Sequence, residues 1–353
     1  MSDYEPRGKP GPACKPGDFI IAATHLDHGH IVGQCEGLLQ AGATIKWVYD
    51  SDASRVSAFR EKFPQARPAR SLEEILEDSA VQLVVAAAVP CEHGPLGCRV
   101  LRSGKDYFTD KTPFTTLEQL DQTRRTVKET GRKYAVYFNE RIHSECSVHA
   151  GHLVVDGAIG RVVQTIGTGP HRLNAKSRAP WFFERGKSGG ILCDLGSHQV
   201  EQFLYFSGAS NAQVKFSATR NVAHPDFPEW QDFGECLLSG DNGASGYFRV
   251  DWLTPDGLSS WGDGRLTILG TSGYIELRKY VDIATGHGTD RLYIVNGRGE
   301  HVISCNGKVG FPFFGQLIRD CLERTETAMT QEHVFKAAEL SLLAQKASET
   351  FKN

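Results

Sequence analysis

The stretch GGILCDLGSHQVE, Gly189 to Glu201, places an acid and an imidazole four residues apart. On a helix that spacing puts Asp194 and His198 on one face, with Glu201 and Gln202 a turn further along. A carboxylate beside an imidazole orients the ring and holds a proton acceptor near neutral pH, which is general-base chemistry. Taken alone, the same spacing also describes an ordinary helix start with a capping aspartate, so the rest of the chain decides. A second polar concentration lies in HLDHGH, where His25, Asp27, His28 and His30 follow the apolar run FIIAAT. Four side chains in one short loop raise the idea of a metal site. No other segment closes a coordination shell around them, so the sequence assigns no metal.

The elements around these residues suggest what they line. FIIAAT reads as a buried strand, IVGQCEGLLQAGA as a helix ending near Gly42, and TIKWVYD as a second strand finishing in Asp50. This is a βαβ unit with an acid roughly twenty residues after Gly29, as dinucleotide-binding units have. Of the glycine fingerprint only Gly29 remains, because Thr24 and Leu26 occupy the other two places. A phosphate can still rest on the amides of the following helix, since those donors do not depend on side chains. Leu26, Asp27, His28, Gly29 and His30 are therefore assigned to the cofactor phosphates and nicotinamide. Asp50 is assigned to the adenosine ribose. A carboxylate there repels a 2′-phosphate, and Asp52 offsets what Arg55 could offer one, so the expected cofactor is NAD rather than NADP. SLEEILED follows as a helix capped by Ser71 with Glu74 completing a capping box. VQLVVAAAVP is a strand ended by Pro90, with His93 in the loop beyond. DYFTD runs into Lys111, and after a helix from Leu117 to Thr130 the strand KYAVYF ends just before Asn139. Open α/β sheets bind ligands at strand C-terminal ends, which places Pro90, His93, Lys111 and Asn139 on one cofactor crevice.

At 353 residues the chain exceeds one comfortable core, so two domains are expected. Residues 1–18, rich in Pro and Gly, read as a flexible arm, 19–143 as the Rossmann dinucleotide-binding domain, and 144–330 as an α+β domain for substrate and oligomerisation. The C-terminal helix 331–353 is expected to pack back on the first domain. Runs such as RVVQTIGTGPH, ASGYFRVDWLT and RLTILGTSGYIELRKY alternate with period two between turn residues, as strands do. A strand-rich domain with an uncovered face should pair with another subunit, giving a homodimer or homotetramer. His171, Arg172, Asn174 and Trp181 lie between its first strand and the Asp194 helix, where aromatic faces and polar groups could hold a sugar. A formal net charge of −3 gives no reason for a nucleic acid partner, and no apolar run approaches the ~20 residues of a membrane span. Nine cysteines without a C-x-x-C pair, and no charged-then-apolar leader, suggest reduced thiols in a cytoplasmic protein.

The order of these signals resembles the glucose-fructose oxidoreductase, inositol dehydrogenase and rhizopine-catabolism family of NAD(P)-dependent sugar and cyclitol oxidoreductases. The resemblance is carried by AAAVP with His93 beyond it, the turn before DYFTDKTPF, GAIGR at Gly157 to Arg161, GGILCDLGSHQVE, and LGTSGYIEL at Leu269 to Leu277. Together these span nearly the whole chain from Phe19 onward. The family's Glu-Lys-Pro signature is similar to Asp110-Lys111 here, with Thr112 where the proline belongs and Pro113 following. The resemblance implies that Lys111, Asp194 and His198 form the catalytic group. It also implies that the second domain is a large open, mostly antiparallel sheet used for oligomerisation. The expected reaction is hydride transfer between a secondary alcohol of a sugar, cyclitol or related polyol and the nicotinamide. In it His198 is the general base oriented by Asp194, and Lys111 stabilises the developing alkoxide. Three other readings stand beside it: an NAD-dependent glycosidase acting through transient oxidation and elimination, a non-enzymatic ligand sensor on the same fold, and a metal-dependent enzyme built on the first histidine cluster.

Overall fold

A computed structural model of the chain describes residues 4–286 and 288–349, so residues 1–3 of the expected arm and 350–353 of the expected last helix lie outside the described residues. The chain divides into two compact units. One comprises Pro10–Tyr137 and Pro312–Phe335. It is built on β1 (Ile20–Thr24), β2 (Thr44–Tyr49), β3 (Arg67–Pro68), β4 (Leu83–Ala86), β5 (Asp106–Thr109) and β6 (Tyr134–Val136). All neighbours pair in parallel, in the order β3-β2-β1-β4-β5-β6. That is the order of a doubly wound dinucleotide-binding sheet, whose ligand crevice opens at the β1/β4 switch point. Strands inside such a sheet are covered on both faces and read as unbroken apolar runs, as LVVA of β4 does with every residue buried. Ser71 caps its helix as expected, its hydroxyl accepting from the Glu74 amide, while the Glu74 carboxylate reaches the Arg70 amide. The strand expected to run to Pro90 stops at Ala86, and Pro90 instead opens the helix Pro90–Arg102, so His93 sits in the first turn of that helix and not in a loop.

The second unit comprises 4–9, Phe138–Phe311 and 336–349. Its eight strands are β7 (Val162–Pro170), β8 (Ala212–Arg220), β9 (Phe233–Gly240), β10 (Ser245–Asp251), β11 (Arg265–Gly270), β12 (Gly273–Arg278), β13 (Arg291–Asn296) and β14 (Gly299–Ser304). They run in the order β14-β13-β12-β11-β7-β10-β9-β8, antiparallel except for β7 with β10. Period-two alternation sorts the faces. Ile268, Ile275 and Ile294 stand opposite one another and pack with Cys146, Leu153 and Phe206 from the helices Glu145–Val155 and Gly196–Ser207. Each buried Ile, Leu or Phe among them contributes about 1.5–3 kcal/mol. One register row along, Phe216, Leu237, Tyr247, Ile166, Thr267, Glu276, Tyr293 and Val302 cross the other face of all eight strands. Phe216, Leu237, Ile166 and Val302 in that row are exposed.

The two ends of the chain differ from expectation. The residues read as a flexible arm are tied down from Tyr4 onward: His149 Nε2 donates to the Tyr4 carbonyl, Ala13 to Ala41, and the Gly17 amide to Thr44 Oγ1. The last helix, Gln331–Glu349, is shared between the units instead of packing on the first alone. At its start the Gln331 amide group accepts from the Tyr134 N–H and donates to the Tyr134 carbonyl, completing the edge of β6. Further along, the Ala344 carbonyl accepts from Ser217 and Gln345 Oε1 accepts from the Leu192 amide, both in the sheet unit.

Candidate functional site

At the C-terminal edge of the parallel sheet the polar cluster of HLDHGH separates into three directions. His25, at φ 52°, turns the chain off β1 and shares a hydrogen bond with Thr24 Oγ1. Asp27 pairs with Arg55, which also lies 3.7 Å from Asp50. His28 and His30 instead converge on Asp110 at the end of β5, with Nδ1 atoms 3.1 Å and 2.9 Å from its carboxylate. Asp110 Oδ1 also accepts from the Lys111 amide at 2.7 Å. Burial pushes Asp110 up, but His30 and His28 outweigh it and hold the carboxyl well below its usual range. Burial and the neighbouring His30 pull His28 down to about 4, against the attraction of Asp110. The Lys111–Thr112 peptide is cis, and His93 Nδ1 bonds the Thr112 carbonyl at 2.7 Å. His93 is fully buried, and through Nδ1 it holds this strand end. Pro90 is buried as well.

The residues present suit a dinucleotide. The space over the Gly29 α-carbon is open for 4 Å, directly ahead of the helix His30–Gln40, so an anion can approach the helix N-terminus there. At the end of β2 the Asp50 carboxylate accepts from the Leu26 amide at 2.6 Å and the Asp52 amide at 2.8 Å. A carboxylate has about four acceptor positions, so these bonds fix its orientation and leave capacity for ribose hydroxyls.

In the sheet unit, Gly189 and Gly190 at φ 83° and 89° carry the chain into the segment that bears Asp194 and His198. The positive φ at Gly190 favours glycine, and a side chain there would meet Gln345 at 2.5 Å and push it from its place. The expected single helix is broken: Ile191–Asp194 ends, Leu195 intervenes, and Gly196–Ser207 begins, with Ser197 Oγ bonding the Asp194 carbonyl at 3.0 Å. Gln231 and Gln345 accept from the Ile191 and Leu192 amides and fix where the segment starts. His198 is 1% exposed, and its ring lies edge-on to Phe138 at 6.2 Å. Burial pulls the Arg178 guanidinium down against the opposing charge of Asp194, while Phe182 and Trp252 flank it at 4.6 and 5.0 Å.

Beneath His198 lies a group that sequence reasoning missed. Lys279 Nζ is 3.1 Å from Glu140 Oε2 and 2.5 Å from Gln202 Oε1, and Gln202 Nε2 donates to the His198 carbonyl at 2.9 Å. Gln199 donates to the same Glu140 oxygen, and Glu201 pairs with Arg141 beside it at 2.5 Å. Asn139 opens the short helix that carries Glu140 and Arg141, and belongs to the sheet unit, not to the dinucleotide unit with Lys111. The expected sugar contacts part company. His171 lies between Trp252 and Trp261 at 5.3 and 4.5 Å, and Arg172 donates to the carbonyls of Pro255 and Leu258. Arg172 and exposed Asn174 line an open cavity of about 870 Å³ with His224, Trp252 and Thr254; Trp181 sits in the turn Pro180–Phe183.

A model of the oxidoreductase family with NAD-binding Rossmann fold matches residues 23–138, and one of the GFO/IDH/MocA C-terminal domain matches 148–276. The chain belongs to the GFO/IDH/MocA family. A putative oxidoreductase from Erwinia carotovora atroseptica SCRI1043 is 53% identical, with TM-score 0.91 over 94% of this chain and 99% of that one. Among curated relatives, the NADP(+) scyllo-inositol 2-dehydrogenase of Bacillus subtilis is 28% identical over 45% of this chain and 44% of its own length. The NAD(+) scyllo-inositol 2-dehydrogenase of the same organism is 26% identical over 57% and 56%. The chain thus spans about half the length of the curated GFO/IDH/MocA relatives it matches. They include both cofactor types, so family membership gives a nicotinamide dinucleotide without choosing between NAD and NADP.

Proposed function

We propose that the chain is an NAD-dependent dehydrogenase acting on a secondary alcohol of a sugar, cyclitol or related polyol. The observation that carries the reading is Asp50, oriented at the end of β2 by two backbone amides, in a chain of this family. Asp50 accepts the adenosine ribose hydroxyls, and the helix N-terminus at Gly29 takes the phosphates. The nicotinamide, when bound, accepts the hydride from the carbinol carbon or returns it. His198 removes the hydroxyl proton through its imidazole, with Asp194 orienting the ring. Lys111 donates to the same oxygen and stabilises alkoxide charge. Scyllo-inositol, acted on by two of the relatives, sets the substrate class to test first. The exposed row across the eight-stranded sheet is assigned to a second copy of the chain, in a homodimer or homotetramer. Light scattering at micromolar concentration should give an oligomer, and a monomer there removes this part of the reading.

The test is a panel of inositols, aldoses and polyols followed by NADH absorbance. Stoichiometric NADH with at least one is expected. Release of a free sugar from a glycoside with no net NADH would replace the dehydrogenase by an NAD-dependent glycosidase. Cofactor binding with no turnover of any member would turn it into a sensor.

A further inference from the structure

We propose that His28, His30 and Asp110 form a binding site for a first-row divalent transition metal such as zinc. The three residues come from two separate segments, the loop and helix start after β1 and the end of β5, and their ligand atoms all lie within 4.8 Å of one another. His28 Nδ1 stands 3.1 Å and His30 Nδ1 2.9 Å from Asp110 oxygens. Metal bonds of about 2.0–2.2 Å place neighbouring ligand atoms roughly 2.8–3.6 Å apart in octahedral or tetrahedral geometry. Both histidine–aspartate separations therefore match those of a coordination shell, with the third pair within 4.8 Å. Two imidazoles and one carboxylate suit zinc, cobalt or iron and do not suit magnesium or calcium, which take oxygen ligands.

The surroundings set the character of the site. Asp110 is 2% exposed at its side chain, while His28 and His30 are 22% and 28% exposed, so the carboxylate is anchored inside and the imidazoles open to solvent. A cation held there keeps coordination positions for water or a ligand oxygen, as three-ligand sites do. Asp110 is oriented from behind by the Lys111 amide, the kind of outer support that ligating carboxylates have. The Lys111 charge acts on His28, and His30 opens a helix, so both the ammonium and the helix dipole oppose added positive charge. These oppositions make the site weaker than a closed structural zinc site. The site goes beyond the dehydrogenase reading and does not depend on it.

The experiment is a titration of the untagged chain, stripped with chelator and free of nicotinamide, with Co²⁺ followed by visible absorption and with Zn²⁺ followed by calorimetry. One cobalt per chain with a d–d band is expected, together with zinc binding and no response to Mg²⁺. His30→Gln and Asp110→Asn should each weaken zinc by about tenfold or more. His30→Gln is included because its side chain is partly exposed, and its far-UV spectrum and unfolding midpoint check that the fold persists. Absence of the band at millimolar cobalt, or the same affinity in wild type and His30→Gln, would overturn the proposal and leave a hydrogen-bonded group only. Because no turnover is read, failure here leaves the dehydrogenase reading standing, and failure of the polyol panel leaves this site standing.

Discussion

Asp110 and Glu140 are both almost wholly withdrawn from water, yet they are compensated in opposite ways. Glu140 faces Lys279, whose side chain is 0% exposed, and the amides of Gln199 and Gln202. Asp110 faces two imidazoles that remain open to solvent. A sealed ion pair balances a charge once and has no route to exchange its partners, which suits a framework. An open cluster can trade a proton, a cation or a ligand oxygen, which suits a site. Each carboxylate also supports one candidate for chemistry. Lys111 gives its amide to Asp110, and the His198 carbonyl is held by Gln202 in the Glu140 group.

The largest effect that separates the supported residues from their supports should be on turnover. His198→Ala and Lys111→Met should each lower kcat by about 10²–10⁴, the range for losing acid–base or oxyanion help. Cofactor affinity should change far less for His198→Ala, since in the proposed mechanism the ring acts on the substrate hydroxyl. Steady-state kinetics with an accepted polyol measure both. A variant lacking both groups that turns over near the normal rate removes the mechanism.

Next comes stability. Lys279→Met leaves the Glu140 carboxylate buried without its cation, and breaking a buried pair from one side costs about 3–5 kcal/mol. Adding Glu140→Gln should recover part of that loss, because an amide needs no counter-charge. Asp110→Asn should cost less than Lys279→Met, since His28 and His30 are partly exposed and solvent screens what the lost carboxylate leaves unpaired, whereas the Lys279 site is sealed. Urea unfolding decides it. Equal losses for Lys279→Met and Asp110→Asn would erase the distinction between sealed and open clusters.

The sequence carried the fold further than it carried either cluster. Apolar runs such as LVVA and the period-two strands from β7 onward are local signals, so the parallel sheet, the strands of the second sheet and the acid at Asp50 were legible, while the mostly antiparallel arrangement came from the family resemblance. The partner of His28 and His30 was not, because Asp110 is eighty residues away from His30 and only the order of β1, β4 and β5 brings it near. Reading four polar residues of one loop as a unit was misleading for the same reason: Asp27 and His25 turn to partners of their own. Lys279 gave no signal, since a lysine after a strand normally reads as solvated. His93 was misplaced because Pro90 is both a strand breaker and a favoured first helical residue, and the sequence alone weights the first role.

A smaller effect concerns cofactor choice. Asp50 is oriented by Leu26 and Asp52 amides, with Arg55 3.7 Å away and itself paired with Asp27. An arginine held by acids is poorly available to a 2′-phosphate, and the carboxylate repels one. NAD should be preferred by about one to two powers of ten, or roughly 1.4–2.8 kcal/mol. Asp50→Ala should narrow that gap, and kcat/KM for both cofactors on both proteins measures it. Equal use of NADP by the wild type would show that Asp50 does not read the ribose.

The smallest effect tests sealing with a group that titrates near neutrality. His149 is buried in the sheet unit, its Nε2 2.7 Å from the Tyr4 carbonyl. Burial lowers its pKa from 6.5, the Tyr4 carbonyl opposes that shift, and neighbouring His152 adds to it. The folded chain therefore holds His149 neutral while the unfolded chain takes up a proton near pH 6.5. Folding binds fewer protons, so the contribution of this residue is complete above that pH and is lost as the pH falls below it. His149→Gln cannot titrate. Its unfolding free energy should fall less between pH 7 and pH 5 than the wild type's, by about 1 kcal/mol or less. The two proteins are compared by urea unfolding at each pH. Parallel curves would mean that His149 is protonated as easily in the fold as out of it, and that Tyr4 does not close over it in solution.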